Sequence, residues 1–224
     1  MFEPEEFFEL SGLEVNLFEG ITYVWEALLK LESFLKEYAK PEIRGMIKGG
    51  VFIEGAVFID EGTVVEPFVY IKGPVYIGKN CEIRQGAYIR GNVFIGDNCV
   101  VGHTTEVKNS ILLSGAKAPH FNYVGDSILG HNVNLGAGTK ISNLKIGLTG
   151  SVKVKANGEI YDTGLRKLGA IIGDDSETGC NSVLNPGTIL GKKVLVYPNV
   201  SIRGYVPSNS IVKFKPVLEV TDIK

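Results

Sequence analysis

The side chains of this 224-residue sequence best suited to chemistry are three histidines and two cations, Arg90 and Lys108, spaced eighteen apart. His120 stands among Lys117, Tyr123 and Asp126. An imidazole titrates near neutral pH and can serve as a general base, although a lone histidine can equally be structural. Arg90 and Lys108 can both reach one dianion if the fold stacks residues eighteen apart; otherwise they are solvated surface charges. His103 and His131 fall on different corners of the repeat described below, which argues against a metal centre built within one chain. Cys81 and Cys99 are also eighteen apart and read as a reduced, inward-facing pair, while Cys180 stands alone.

These residues are positioned by a six-residue period. Between Ile53 and Leu112 an aliphatic residue leads each hexad: Ile53, Ile59, Val65, Ile71, Ile77, Ile83, Ile89, Ile95, Val101 and Val107. A small or β-branched residue follows four places on, where strand alternation returns the chain to the inside. Gly, Pro, Asn, Asp and Lys lie between and suit tight corners. Short strands with a corner every six residues form a triangular coil of three hexads, stacked at about 4.8 Å. The expected fold class is an all-β solenoid, a parallel β-helix of hexapeptide repeats, with a short N-terminal helical segment.

Residues 1–45 lack the period and form that helical segment. Val24, Trp25, Leu28, Leu31, Leu35 and Tyr38 have the spacing of an amphipathic helix over 22–40, and a shorter helix is expected from Pro4. The coil occupies 46–206, with Pro207 at its end and 207–224 as a strand-like C-terminal cap. Two disturbances interrupt it. About four extra residues at 119–122 predict a loop carrying His120, with Tyr123, Leu129 and Leu135 resuming the lead positions. A longer arm over 143–170 contains Asn157-Gly158, a two-residue hairpin signal, and is a candidate to reach a neighbouring subunit. Outward aromatic residues form two ladders, Phe58–Tyr76–Phe94 continued by Leu112, and Phe52–Tyr70–Tyr88. Such stripes call for cover by the N-terminal helix or a second subunit, unless they stack along exposed strands.

Net charge of −2 and a pI near 6.0 give no reason to expect nucleic acid or a membrane as partner. The acidic start MFEPEEFFEL is unlike a signal peptide, and no apolar run approaches about 18 residues, so a cytoplasmic protein is expected.

The segment Glu106–Asp126 contains K-A-x-H-x-x-Y-x-G-D, and N-V-N-x-G-A-G-T follows at 132–139. This combination resembles the acetyltransferase domain of the bifunctional N-acetylglucosamine-1-phosphate uridylyltransferase/glucosamine-1-phosphate acetyltransferase family over roughly 46–206. The run Arg166–Gly173 with a hairpin before it is similar to the archaeal sugar-1-phosphate nucleotidylyltransferase/acetyltransferase branch. The resemblance implies a left-handed β-helix, a homotrimer, and acetyl transfer from acetyl-CoA to the amine of a hexosamine 1-phosphate. It makes His120 the general base and Asn143 the residue orienting amine or thioester. It assigns Arg90, Lys108, Tyr123, Asn134 and Lys167 to the sugar phosphate, with Glu106 ordering that site. Ala137 matches a backbone N–H that holds the thioester oxygen, and Cys180 and Pro198 join it as cofactor-binding positions. No metal is implied.

Three departures stand against the family pattern. Pro119 replaces a glycine before the histidine, Leu-Lys-Ile follows Asn143 in place of Tyr-Asp-Gly, and Pro198 stands where a small residue is usual. No G-x-G-T-R phosphate loop precedes residue 46, so uridylyl transfer is not expected. Two other readings stay open: an acyltransferase for another aminosugar, such as a nucleotide-linked one, and a non-catalytic hexapeptide-repeat subunit of a nucleotidylyltransferase complex.

Overall fold

The computed structural model describes residues 1–147, 149–215 and 217–223. Leu148, in the expected 143–170 arm, and Pro216 and Lys224, in the expected C-terminal cap, lie outside the described residues. The hexads form three parallel sheets wound as one solenoid. The first face runs from Glu42–Ile43 to Tyr205–Val206 in nine strands, and the second from Met46–Ile47 to Ile211–Val212 in nine. The third runs from Phe52–Glu54 to Ser201–Ile202 in eight. The lead aliphatics line the interior: Ile59, Ile77, Ile95, Val101 and Val107 are fully buried, as are Leu129, Leu135, Ile172, Leu184 and Leu190 farther along. Asparagines turn many corners in the left-handed region, among them Asn80, Asn98, Asn181 and Asn199, where a short polar side chain tolerates positive φ. Cys81 and Cys99 are both buried free thiols in this interior.

The repeat departs from six at the corner between the third and first faces. Ile95 aligns with Leu112, and Leu112 with Leu129, so each of these coils is seventeen residues long. Asn109 and Asp126 take positive φ there and turn the corner with one residue fewer. The expected four-residue insertion at 119–122 is therefore absent. Lys117–His120 is a strand in register with Val100–His103. Val124 takes the inward position expected of Tyr123, which faces outward. Leu112 likewise points into the core, and Ile111 continues the outer ladder after Phe94.

The first face is covered by the chain's own N-terminus. Helices α1 (Pro4–Phe7), α2 (Glu14–Phe18) and α3 (Ala27–Tyr38) precede the coil, and a single 3-10 turn, Val24–Glu26, leads into α3. The sequence pattern merged that turn with α3 and missed α2. The Glu26 carboxylate accepts hydrogen bonds from the N–H groups of Thr22 (2.8 Å) and Tyr23 (3.0 Å), fixing the entry to α3. Leu28, Leu31, Phe34 and Leu35 form its buried stripe. Phe34 meets Phe94 edge to face at 5.6 Å, so the first ladder is covered from within the chain. The second ladder stays at the surface: Tyr70 and Tyr88 stack at 5.2 Å, and Phe52 is 66% exposed.

The arm also folds back on its own coil. Lys153–Ala156 pairs with Glu159–Asp162 around Asn157-Gly158, both at positive φ, as the hairpin signal predicts. Val152 and Val154 pack into the first-face cluster with Ile171 and Ile189, and Tyr161 meets Phe2 at 5.0 Å. The hairpin thus packs its apolar side against its own coil. At the far end the coil continues past Pro207 to Ile211–Val212, and the described residues beyond it are exposed and carry no helix or strand.

Candidate functional site

His120 ends its strand at the corner between the second and third faces, directly opposite His103 on the preceding coil. Its backbone is fixed on both sides. The N–H donates to Asn122 Oδ1 at 3.1 Å, and the carbonyl accepts from the Gly138 N–H at 2.9 Å. Asn122 is buried; its amide donates to the Gly136 carbonyl at 2.9 Å, and its N–H to Thr105 Oγ1 at 3.2 Å. Phe121, at positive φ, then turns the chain onto the third face. Pro119 is accommodated because residue 102 is glycine: a Cβ there would lie 1.6 Å from the Pro119 carbonyl oxygen. The His120 ring itself is exposed, whereas the His103 ring is held by the Gln85 carbonyl at 3.1 Å.

Three expected cofactor residues continue down the same edge. The Asn181 N–H donates to the Ala137 carbonyl (2.8 Å), and the Asn199 N–H to the Cys180 carbonyl (3.0 Å). His120, Ala137, Cys180 and Pro198 therefore occupy successive coils, each step about 4.8 Å. Pro198 packs on Gly179, where a Cβ would come within 2.4 Å of its nitrogen. A shallow cavity of about 270 Å³, lined by Thr178, Leu195, Val196, Tyr197 and Pro198, lies beside this edge on the second face. Among the described residues the Ala137 N–H donates no hydrogen bond, unlike that of Gly138.

The cations lie across the third face. Lys108 Nζ approaches Asp126 Oδ2 to 3.0 Å, and Asn109 donates to Oδ1 at 2.7 Å. The Asn143 amide donates to the same carboxylate. Asp126 is buried and its backbone carbonyl accepts from the Gly169 N–H, while the Leu168 N–H donates to the Asn143 carbonyl. These bonds tie the start and end of the arm to one corner and leave Lys167 exposed next to Leu168. Arg90, one coil before Lys108, pairs with Glu106 at 2.6 Å, which raises its pKa, and lies over the Tyr88 ring at 5.7 Å. Tyr123 aligns with Glu106. At Gly125 a Cβ would sit 2.8 Å from both Tyr123 Oη and Asn143 Nδ2, so the two polar groups converge over a glycine.

The structure thus gathers His120 with Ala137, Cys180 and Pro198 along one edge. It gathers Lys108, Asn143 and Tyr123 around the opposite border, with Arg90 and Glu106 beside them. Asn134 stands apart on the second face, between Lys117 and Glu177. Asp126 is the residue to which sequence reasoning gave no role. A buried carboxylate at a corner eighteen residues after a lysine was the available signal, but its hub position needs the seventeen-residue coil that follows.

The GMPPB C-terminal domain family matches residues 71–164. The chain is 46% identical over 214 residues to the bifunctional protein GlmU of Methanococcus maripaludis strain C7, covering 95% of this chain and 51% of that protein. Its identity to GlmU of Methanocaldococcus jannaschii is 34%, over 91% of this chain and 50% of the relative. It is 42% identical over 102 residues to a bifunctional sugar-1-phosphate nucleotidylyltransferase/acetyltransferase of Sulfurisphaera tokodaii, covering 46% of this chain and 25% of that one. A crystal structure of AntD, an N-acyltransferase from Bacillus cereus, superposes with a TM-score of 0.41 at 14% identity, over 86% of this chain and 89% of that one. The chain spans about half the length of the GlmU relatives that it matches nearly end to end, and it resembles the hexapeptide-repeat acetyltransferase domain of that bifunctional family.

Proposed function

We propose that the chain transfers acetyl from acetyl-CoA to the amine of a hexosamine 1-phosphate, with glucosamine 1-phosphate as the acceptor. One observation supports this most: an exposed imidazole heads the Ala137–Cys180–Pro198 edge and faces a cation cluster across a single sheet. A three-residue leg of strand is on the order of 10 Å wide. A sugar phosphate lying across the third face, over Gly125, then places its amine at His120 and its phosphate at Lys108 and Arg90. Tyr123, Asn143, Lys167 and Glu106 border that path, and Asn134 lies beyond the His120 corner.

In this reading His120 accepts the proton of the acceptor amine as its nitrogen attacks the thioester carbonyl carbon. The Ala137 N–H, which has no acceptor among the described residues, donates to the developing oxyanion. Collapse of the tetrahedral adduct breaks the carbon–sulfur bond, and the imidazolium returns its proton to the departing thiolate. The acyl chain and pantetheine arm run along the edge past Cys180 and Pro198. The same reading includes a homotrimer, with the acyl-CoA edge lying against a second copy. The first face is sealed by the chain's own N-terminus, and the open second and third faces meet at His120.

Release of free thiol from acetyl-CoA by the purified chain tests this, with glucosamine 1-phosphate, galactosamine 1-phosphate and a nucleotide-linked aminosugar offered in parallel. Turnover with a sugar 1-phosphate is the expected result. Turnover only with the nucleotide-linked sugar would replace the acceptor, and no thiol release from folded protein would overturn the reading.

A further inference from the structure

A second cleft, of about 390 Å³, opens at the corner between the third and first faces, on a different edge from His120. Its charged lining is wholly cationic: Lys145 from the arm, Lys153 and Lys155 from the hairpin, and Arg203 from the coil's last turns, with Tyr205 beside them. None of the four forms an ion pair among the described residues. Across the hairpin Asp162 stands opposite Lys153; Ser151 Oγ and the Gly164 N–H donate to its Oδ1, and these bonds, with a smaller contribution from Lys153, hold its pKa down.

The local fold builds this arrangement. Val154 and Ala156 turn inward, so Lys153 and Lys155 share the outer side of one strand, about 7 Å apart. Gly187, at positive φ, lets that strand lie close to the corner: a Cβ there would be 2.8 Å from Val152 Cγ1. Four like charges drawn from three segments repel one another, in a chain whose net charge is −2. An anion bound between them would remove that repulsion.

We propose that this cleft binds the phosphates of a nucleotide. Two lysines about 7 Å apart with an arginine suit successive phosphates better than a single one. The Tyr205 ring gives a flat surface for a base, and the volume lies within the range of small-molecule sites. Two sources share this chemistry, the phosphorylated ADP end of coenzyme A and a free or sugar-linked nucleoside diphosphate. The site stands independently of the acyl-transfer reading.

The test is equilibrium binding of a fluorescent ADP analogue to the purified chain, with coenzyme A and a uridine diphosphate sugar as separate competitors. The double variant Lys153→Ala/Lys155→Ala should weaken binding at least about tenfold. Arg203→Gln, outside the hairpin, should weaken it severalfold, and Lys79→Ala, on a distant corner, should leave it unchanged. Trp25 emission checks that the hairpin stays docked, because Tyr161 of the hairpin packs on Tyr23, which stacks on Trp25. Displacement by one competitor identifies the source. Absence of saturable binding, or equal affinity in the double variant and Arg203→Gln with unaltered emission, would overturn the proposal.

Discussion

Asp126 concentrates more of the site's order than any residue singled out by type. It holds Lys108, Asn109 and Asn143 at once, and it is buried. Breaking a buried pair leaves an uncompensated charge, which costs about 3 kcal/mol. Asp126→Ala should therefore lower the melting temperature and raise KM for the acceptor at least about tenfold, both readable from thermal melts and steady-state kinetics. Gly125→Ala makes a finer probe. Its methyl would crowd Tyr123 Oη and Asn143 Nδ2, so acceptor KM should rise while the fold survives. A KM unchanged in both variants would remove this corner from the acceptor site. At this scale residue types were legible in the sequence, and the structure places His120 exposed at one border of the third face and Lys108 and Asn143 half-buried at the other. It hid the direction of Tyr123, because one residue lost at the Asn109 corner shifts the inward positions that follow to Leu112, Ala118 and Val124.

A polar latch helps to dock the N-terminal helices on the coil. Glu14 of α2 accepts hydrogen bonds from Ser114 N–H (2.9 Å) and Oγ (2.8 Å), and its other oxygen lies 3.1 Å from His131 Nε2, an ion-pair contact. Burial alone would raise the Glu14 pKa, but the His131 and Ser114 contacts outweigh it and bring it below 4.5. The same contact with Glu14, against burial, lifts His131 above 6.5. The Glu14 contribution is complete above about pH 4.5 and is lost as pH falls through its lowered value. The His131 contribution is complete below about pH 6.5 and is lost as pH rises through its raised value. Asp174, which accepts from the N–H groups of Glu9 and His131, has its pKa pushed up by burial, so its contribution is complete below about pH 3.8 and is lost as pH rises through its raised value, on the acid side of the His131 limb. Melts followed by the single, buried Trp25 should thus show the N-terminal segment most stable between these limits and weaker at pH 8.5. His131→Gln should flatten the upper limb, and an unchanged limb would contradict the latch. Phe34→Ala, beneath the same cover, should cost about 3–5 kcal/mol. The helical period marked α3, but nothing in the sequence announced α2, a five-residue helix whose stability comes from this tertiary contact.

For the whole molecule, the repeat made the solenoid and its interior legible, because each buried lead residue recurs on a fixed spacing. The covering of the first face was only half legible. An aromatic ladder demands a partner but does not name it, and here N-terminus and hairpin together supply it. With that face covered, the Phe52–Tyr70–Tyr88 ladder remains at the surface of the third face, and the proposed trimer buries it. Sedimentation equilibrium should give three times the 24.3 kDa chain mass, and Tyr88→Asp should lower it. A monomer at micromolar concentration would count against the trimer.

The claim at the centre of this account is that His120, and not the histidine stacked beside it, takes the proton. Its most direct test compares wild type, His120→Ala and His103→Ala for conversion of glucosamine 1-phosphate and acetyl-CoA to the N-acetylated sugar phosphate, with product mass as readout. His120→Ala should lose roughly 10²–10⁴-fold in turnover, the span of general-base catalysis, while His103→Ala stays within a few-fold of wild type. Equal activity in His120→Ala and wild type, or loss confined to His103→Ala, would contradict it.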